Sequence, residues 1–187
     1  MHNQDGTGNI LKGVAAGLIG GLFASWTMNQ FQAAWSRIAE GFEKSHGAQS
    51  MQPSEGPNPD QASNQNKDDQ DDATMKAAEA ISEHVFGRTL TKREKKVGGA
   101  AVHYAFGTAT GGLYGALAEV APQVTAGAGL PFGAVFWAVA DETAVPLLGL
   151  SKAPTEYPVS THVYALASHL VYGVTAEATR RVVRDII

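Results

Sequence analysis

The chain has 187 residues, enough for one domain with a short appendage, and 44% of its residues are hydrophobic. The formal net charge of −4 comes from segregated charges, and the basic residues flank apolar stretches instead of covering one face, which argues against a nucleic-acid partner. Because the chain has no cysteine, disulfides, thiolate metal ligands and a cysteine nucleophile are excluded.

Four long stretches contain no Asp, Glu, Lys or Arg, namely residues 13–36, 97–118, 120–140 and 157–176. A helix of about 20 apolar residues spans the core of a bilayer. We therefore predict an all-α membrane protein, a four-transmembrane-helix bundle with one long polar linker and a short amphipathic helix. Its main partner would be the lipid bilayer, and we interpret the first stretch as a retained span and not a signal peptide. A soluble bundle rich in Ala and Gly is the alternative.

The first half of the chain divides into three predicted regions. Residues 1–47 hold a short polar tail, the first span (about 10–32) and its extension beyond the membrane. Residues 48–73 are polar, with three prolines and an acidic cluster, and we expect a disordered linker. Residues 74–90 have the apolar periodicity of an amphipathic surface helix.

Residues 91–187 hold spans two to four, a predicted three-helix transmembrane core. Thr91-Lys-Arg-Glu94 fits a capping box, so a helix should begin there. Span two (about 98–121) has glycines four residues apart, as span one does, and small residues at that spacing let helices pack closely in lipid. We expect these two spans to pack together through Gly13, Gly17, Gly21, Gly107, Gly111 and Gly115.

Asp141 and Glu142 interrupt span three (about 131–150), where each carboxylate costs roughly 2.5–3.5 kcal/mol at the bilayer centre. We expect Pro146 to kink this helix one turn later. Counting about 1.5 Å per residue puts one histidine of span four (about 158–179) level with the carboxylates, and two more histidines nearer the linker end. The expected buried polar site comprises His103, Asp141, Glu142, His162 and His169, and a secondary polar pair at the other end comprises Glu119 and Glu177.

Three interpretations of the buried polar site remain open. Hydrogen bonds among these groups could only fix the helix register. A buried carboxylate beside histidine could instead handle protons or cations. A metal ion is a third interpretation, with ligands His103, Glu142, His162 and His169, although no H-x-x-x-H or E-x-x-H pair lies within one helix. No other cofactor is predicted, and no catalytic residue is assigned.

The motifs around these residues resemble the YagU-like family of small bacterial inner-membrane proteins of unknown function. The matching residues are His103-Tyr-Ala-Phe-Gly107, Gly112-Leu-Tyr-Gly115, Phe136-Trp-Ala-Val-Ala-Asp-Glu142, Val145-Pro146, His162 and His169-Leu-Val-Tyr-Gly173. The resemblance implies a multi-pass inner-membrane protein and a contribution to survival in acid, and it supplies no catalytic residues. A structural or assembly subunit that binds another copy or another membrane protein is the competing hypothesis. The distribution of Lys and Arg favours a cytoplasmic linker.

Overall fold

The structure is a computed structural model that describes residues 4–49 and 71–187, and within those ranges it is all-helical, without strands. The all-α prediction is therefore confirmed for the described part of the chain. The helices are α1 (Gln4–Gln49), α2 (Ala73–Phe86), α3 (Lys92–Val120), α4 (Leu130–Val139), α5 (Val145–Leu147) and α6 (Val159–Ile186). Shorter helical turns cover Pro122–Gly129, Ala140–Ala144 and Pro154–Glu156.

The first helix is longer than the sequence suggested at both ends. α1 begins at Gln4, inside the expected polar tail, and continues without interruption to Gln49. The predicted linker, residues 48–73, is therefore too long by two residues at its start, and α2 already begins at Ala73. Residues 50–70 of that linker lie outside the described residues.

Local capping explains where α2 and α3 begin. Asp72 caps α2, since its Oδ1 accepts a hydrogen bond from the Met75 amide at 2.9 Å. Thr91 and Glu94 form the capping box of α3, in which each side chain accepts a hydrogen bond from the other residue's amide. Between the two helices, Gly87 has a φ of 65°, a left-handed conformation that ends α2.

Two segments, Gly8–Ile38 and Pro122–Leu147, are long and apolar enough to cross a membrane, and the second is kinked at residues 126–128. The first contains the first predicted span, and the second covers the third predicted span as far as Leu147. The second and fourth predicted spans lie in α3 and α6, whose many Gly, Ala and Thr residues keep their hydropathy lower. The four-span arrangement therefore stays a prediction.

The central contact of the fold joins α1 to α3 through glycine. A Cβ atom added at Gly17 would lie 2.9 Å from Cα of Gly115, and one added at Gly21 would lie 2.9 Å from Cα of Gly111. Only glycine permits this approach, because any side chain would collide with the opposing backbone. The contact joins Gly13, Gly17 and Gly21 to Gly107, Gly111 and Gly115.

A second glycine contact brings α4 against α6, while α1 also packs against α6. A Cβ atom at Gly133 would lie 3.0 Å from the carbonyl carbon of His169, and one at Gly173 would lie 2.9 Å from the amide nitrogen of Gly133. The two helices therefore touch backbone to backbone beside a predicted site residue. This proximity places the carboxylates that follow α4 within reach of the histidines of α6.

Four aromatic rings form a layer in the middle of the bundle. The rings of Tyr114 and Phe132 stack with centroids 4.1 Å apart, and those of Phe136 and Tyr172 lie 5.1 Å apart. The hydroxyl of Tyr172 donates to the Gly107 carbonyl at 2.5 Å. This aromatic layer separates the polar groups near the linker end from the charged groups at the opposite end.

Candidate functional site

Asp141 and Glu142 lie in a π-helical turn, Ala140–Ala144, that follows α4. The Val145 amide bonds the carbonyl five residues earlier, and the Thr143 hydroxyl donates to the Ala138 carbonyl at 2.9 Å. Pro146 has no N–H with which to continue the α-helical pattern. Where the sequence predicted a kink, the helix widens into a turn of a type often found at functional sites.

Glu142 pairs with His162 in the first turn of α6. Nδ1 of His162 lies 2.7 Å from Oε1 of Glu142, and Nε2 lies 3.0 Å from the Pro154 carbonyl oxygen. Both neighbours are acceptors, so a ring that makes both hydrogen bonds must carry a proton on each nitrogen. The geometry therefore favours an imidazolium held between a carboxylate and a loop carbonyl, with both side chains about one quarter exposed.

Asp141 lies beside His169, which is about two turns further along α6 than His162. Oδ2 of Asp141 is 3.6 Å from Nδ1 of His169, too far for a hydrogen bond, while the Ala165 carbonyl lies 2.9 Å from the same nitrogen. Helical side chains lean toward the N-terminus of their own helix, so residues of two antiparallel helices converge between their Cα levels. Because the distance between the Asp141 carboxylate and the His169 ring exceeds hydrogen-bond length, their contact is electrostatic. The ring of Phe136 packs edge-on against the His169 ring, with centroids 5.0 Å apart.

His103 does not join either pair. Its Nε2 is buried and makes no hydrogen bond to any residue that the structure describes, and the same holds for Nε1 of Trp137. His103 is nevertheless close enough to Asp141 and His169 for their charges to act on it. The predicted single network of five residues is thus two separate histidine–carboxylate pairs with a third histidine nearby.

The set of metal ligands suggested by the sequence does not gather at one point. Across residues 4–49 and 71–187, no three His, Cys, Asp or Glu side chains converge closely enough to hold a metal ion. His162 and His169 are seven residues apart on one helix, about 10 Å along its axis, and each faces a different carboxylate. The sequence placed them on one face at different depths but could not show which carboxylate each one faces.

At the opposite end, Glu119 and Glu177 do not contact each other as a pair but bind separate arginines. The carboxylate of Glu177, 1% exposed, accepts hydrogen bonds from Arg180 at 2.7 and 3.0 Å, from the Tyr114 hydroxyl at 2.9 Å, and from Arg181. Glu119 accepts a hydrogen bond at 2.7 Å from Arg184. Helical spacing could have indicated the neighbouring arginines, but nothing in the sequence pointed to Tyr114.

A third cluster of charges joins α2 to the start of α3. Arg88 donates to Glu94 at 2.8 Å, and Lys95 lies 2.7 Å from Asp71 and 2.5 Å from Glu79. The hydrogen bond from Arg88, followed by those from Thr91, lowers the pKa of Glu94 to about 2. These contacts hold α2 and α3 together as a helical hairpin.

The model of one protein family matches more than half of the chain. The family is described as "Protein of unknown function (DUF1440)", and the match covers residues 64–178. It includes both histidine–carboxylate pairs and Glu177, while α1 and the arginines after residue 178 lie outside it. No curated protein and no solved structure matches the chain.

Proposed function

This chain belongs to the DUF1440 family, of unknown function, and we propose that it is a bacterial inner-membrane protein that takes up and releases protons. The site is the pair of histidine–carboxylate contacts beside the π turn. The biological role we propose is a contribution to acid tolerance, as the resemblance to YagU-like proteins implies.

The observation that carries the proposal is the position of His162 between two acceptors. In acid, the ring holds two protons and bonds both Glu142 and the Pro154 carbonyl. When it loses a proton, one of the two bonds must be lost, because a bare ring nitrogen cannot donate. Proton release is therefore coupled to the loop before α6, and histidine is the side chain that titrates nearest neutral pH.

Three features of the helices support a membrane location. α1 contains one of the two apolar stretches long enough to span, and the other runs from Pro122 through α4 to the end of α5. α3 and α6 pack against one or both of these and contribute charge-free stretches of 22 and 18 residues, residues 97–118 and 159–176. A bundle of four spans would bury the histidines and carboxylates in its interior, away from lipid. Ionisable groups within membrane spans almost always face the interior of the bundle.

The test is complementation of a strain that lacks this protein. We expect the wild-type chain to restore survival after an acid challenge and Glu142→Gln and His162→Gln to restore little of it, at equal amounts in the membrane fraction. Glu156→Gln is the matched control, since Glu156 is an exposed carboxylate in the loop before α6 whose one side-chain hydrogen bond among the described residues is accepted from the Ala153 amide. Full rescue by both site variants would overturn the proposal.

The same variants separate the proposal from its alternatives. If both lower only the amount of folded protein, the polar pairs serve structure or assembly. The metal hypothesis is tested by elemental analysis of the gently extracted protein. If the wild-type chain holds a stoichiometric metal and His162→Gln does not, the metal hypothesis replaces the proton hypothesis.

A further inference from the structure

We propose that the groove between α2 and α3 binds one anionic phospholipid at the linker end of the bundle. This inference rests on the proposed membrane location but not on the chemistry of the histidine–carboxylate pairs. It concerns a surface that the proposed proton site does not use.

The groove is open and mainly apolar, and three of its large apolar side chains are more than half exposed. It is lined mainly by Ala78, Ile81, Phe86, Arg93, Val97 and Val102. Ile81, Phe86 and Val97 are 51%, 73% and 66% exposed, respectively. Large apolar side chains gathered at this exposure mark a site that another molecule covers.

The height of the groove matches the edge of a bilayer. The charge-free stretch of α3 begins at Val97, and the two turns before it carry Lys92, Arg93, Lys95 and Lys96. Residues 97–118 would rise about 32 Å, close to the thickness of the hydrocarbon core. Val97 and Val102 therefore lie where acyl chains begin, and Arg93 lies one turn higher, at the level of lipid phosphates.

The charges around the groove favour an anionic headgroup. Lys95 is neutralised by Asp71 and Glu79, and Arg88, which also lines the groove, is bonded to Glu94. Arg93 makes no ion pair with any residue in the described part of the chain. An unpaired guanidinium above an apolar groove matches a phosphate above acyl chains, and basic residues at this level select anionic lipids over zwitterionic ones.

The experiment measures lipid retention by the full-length chain in detergent micelles with native mass spectrometry. The probes are phosphatidylglycerol and phosphatidylcholine with identical acyl chains. We expect at least a five-fold preference for phosphatidylglycerol in the wild-type chain and less than a two-fold preference in Arg93→Gln. Lys152→Gln is the matched control, because Lys152 is an exposed cation in the loop before α6, outside the groove, and should leave the preference intact.

Two results would overturn the inference: equal retention of both lipids by the wild-type chain, or an unchanged preference in Arg93→Gln. A variant inside the apolar part, Val97→Asn, should lower retention of both lipids, and unchanged retention would also count against the groove. Failure here leaves the proposed proton site standing. Extraction of the chain from membranes by alkaline carbonate would instead refute the membrane location itself.

Discussion

Oε1 of Glu142 lies 2.7 Å from Nδ1 of His162, and this contact ties the π turn after α4 to the first turn of α6. The same histidine reaches the Pro154 carbonyl with its other nitrogen. A single ring therefore links two helices and the loop that joins them. A change in the protonation of His162 therefore alters a contact of the π turn, of α6 or of the loop before α6.

Removing the carboxylate from this contact should destabilise the protein measurably. We expect Glu142→Ala to lower the free energy of unfolding by about 1–2 kcal/mol, between the values for exposed and buried ion pairs, since both side chains are partly exposed. Tryptophan fluorescence during denaturation in micelles measures the change. Glu156→Ala should cost no more than about 0.5 kcal/mol, and equal losses in the two variants would contradict the assignment.

The glycine contact between α1 and α3 predicts a sharp difference between two Gly→Ala substitutions. In Gly111→Ala the new Cβ would meet Cα of Gly21 at 2.5 Å, so the helices must separate. We expect the free energy of unfolding to fall by about 1–3 kcal/mol, the usual cost of overpacking. The midpoint of thermal unfolding in micelles provides the measurement.

Gly8→Ala is the control for that experiment. Gly8 lies in α1, the helix that packs against Gly111, but apart from its chain neighbours and its own helix backbone no described atom lies within 4 Å of a Cβ built there. Alanine should therefore stabilise the helix by up to about 1 kcal/mol through its higher helix propensity. If both substitutions destabilise the chain equally, close packing is not the reason for the glycines.

The buried carboxylate at the opposite end predicts a large loss. Glu177→Ala leaves Arg180, 8% exposed, without its main partner. We expect a loss of about 3–5 kcal/mol, as for other broken buried ion pairs. Arg181→Ala removes a donor whose side chain is 56% exposed and should cost less than about 1 kcal/mol. Chemical denaturation of both variants would show whether burial decides the difference, and similar losses would show that it does not.

The contact between Arg88 and Glu94 in the hairpin of α2 and α3 should weaken as the pH falls below about 4.5. Glu94 has a pKa of about 2 in the folded chain, below the usual value of 4.5, because Arg88 and Thr91 bond its carboxylate. A lowered pKa means that its contribution is complete above about pH 4.5 and is lost as the pH falls toward 2. Carboxyl-carbon NMR shifts of Glu94 would follow the titration.

Glu94→Gln provides the comparison for this pH dependence. The variant has no carboxylate to protonate, so amide exchange in the first turn of α3 should change less between pH 4.5 and 2 than in the wild-type chain. A Glu94 midpoint near 4.5 in the folded protein would show that the ion pair with Arg88 does not form in solution.

Local patterns in the sequence were sufficient for the helical class and for the start of α3. Thr91 and Glu94 predicted the capping box because capping depends on residues three apart. The ends of α1 were misjudged, because the helix continues through Gly6 and Gly8 at its start and Gly47 at its end, although glycine has a low helix propensity. The π turn at Asp141 and Glu142 was also missed, because nothing in local spacing distinguishes it from a proline kink.

The sequence by itself determined the helical class, which stretches are apolar, and that ionisable groups interrupt them, because these follow from composition and from spacing along one chain. Only the tertiary structure decided that Asp141 faces His169 while Glu142 faces His162, that His103 stands apart, and that Tyr114 completes the shell around Glu177. The reason is geometric. Which side chains meet depends on the register and crossing of separate helices, and that register is set by close backbone contacts between helices at their glycines.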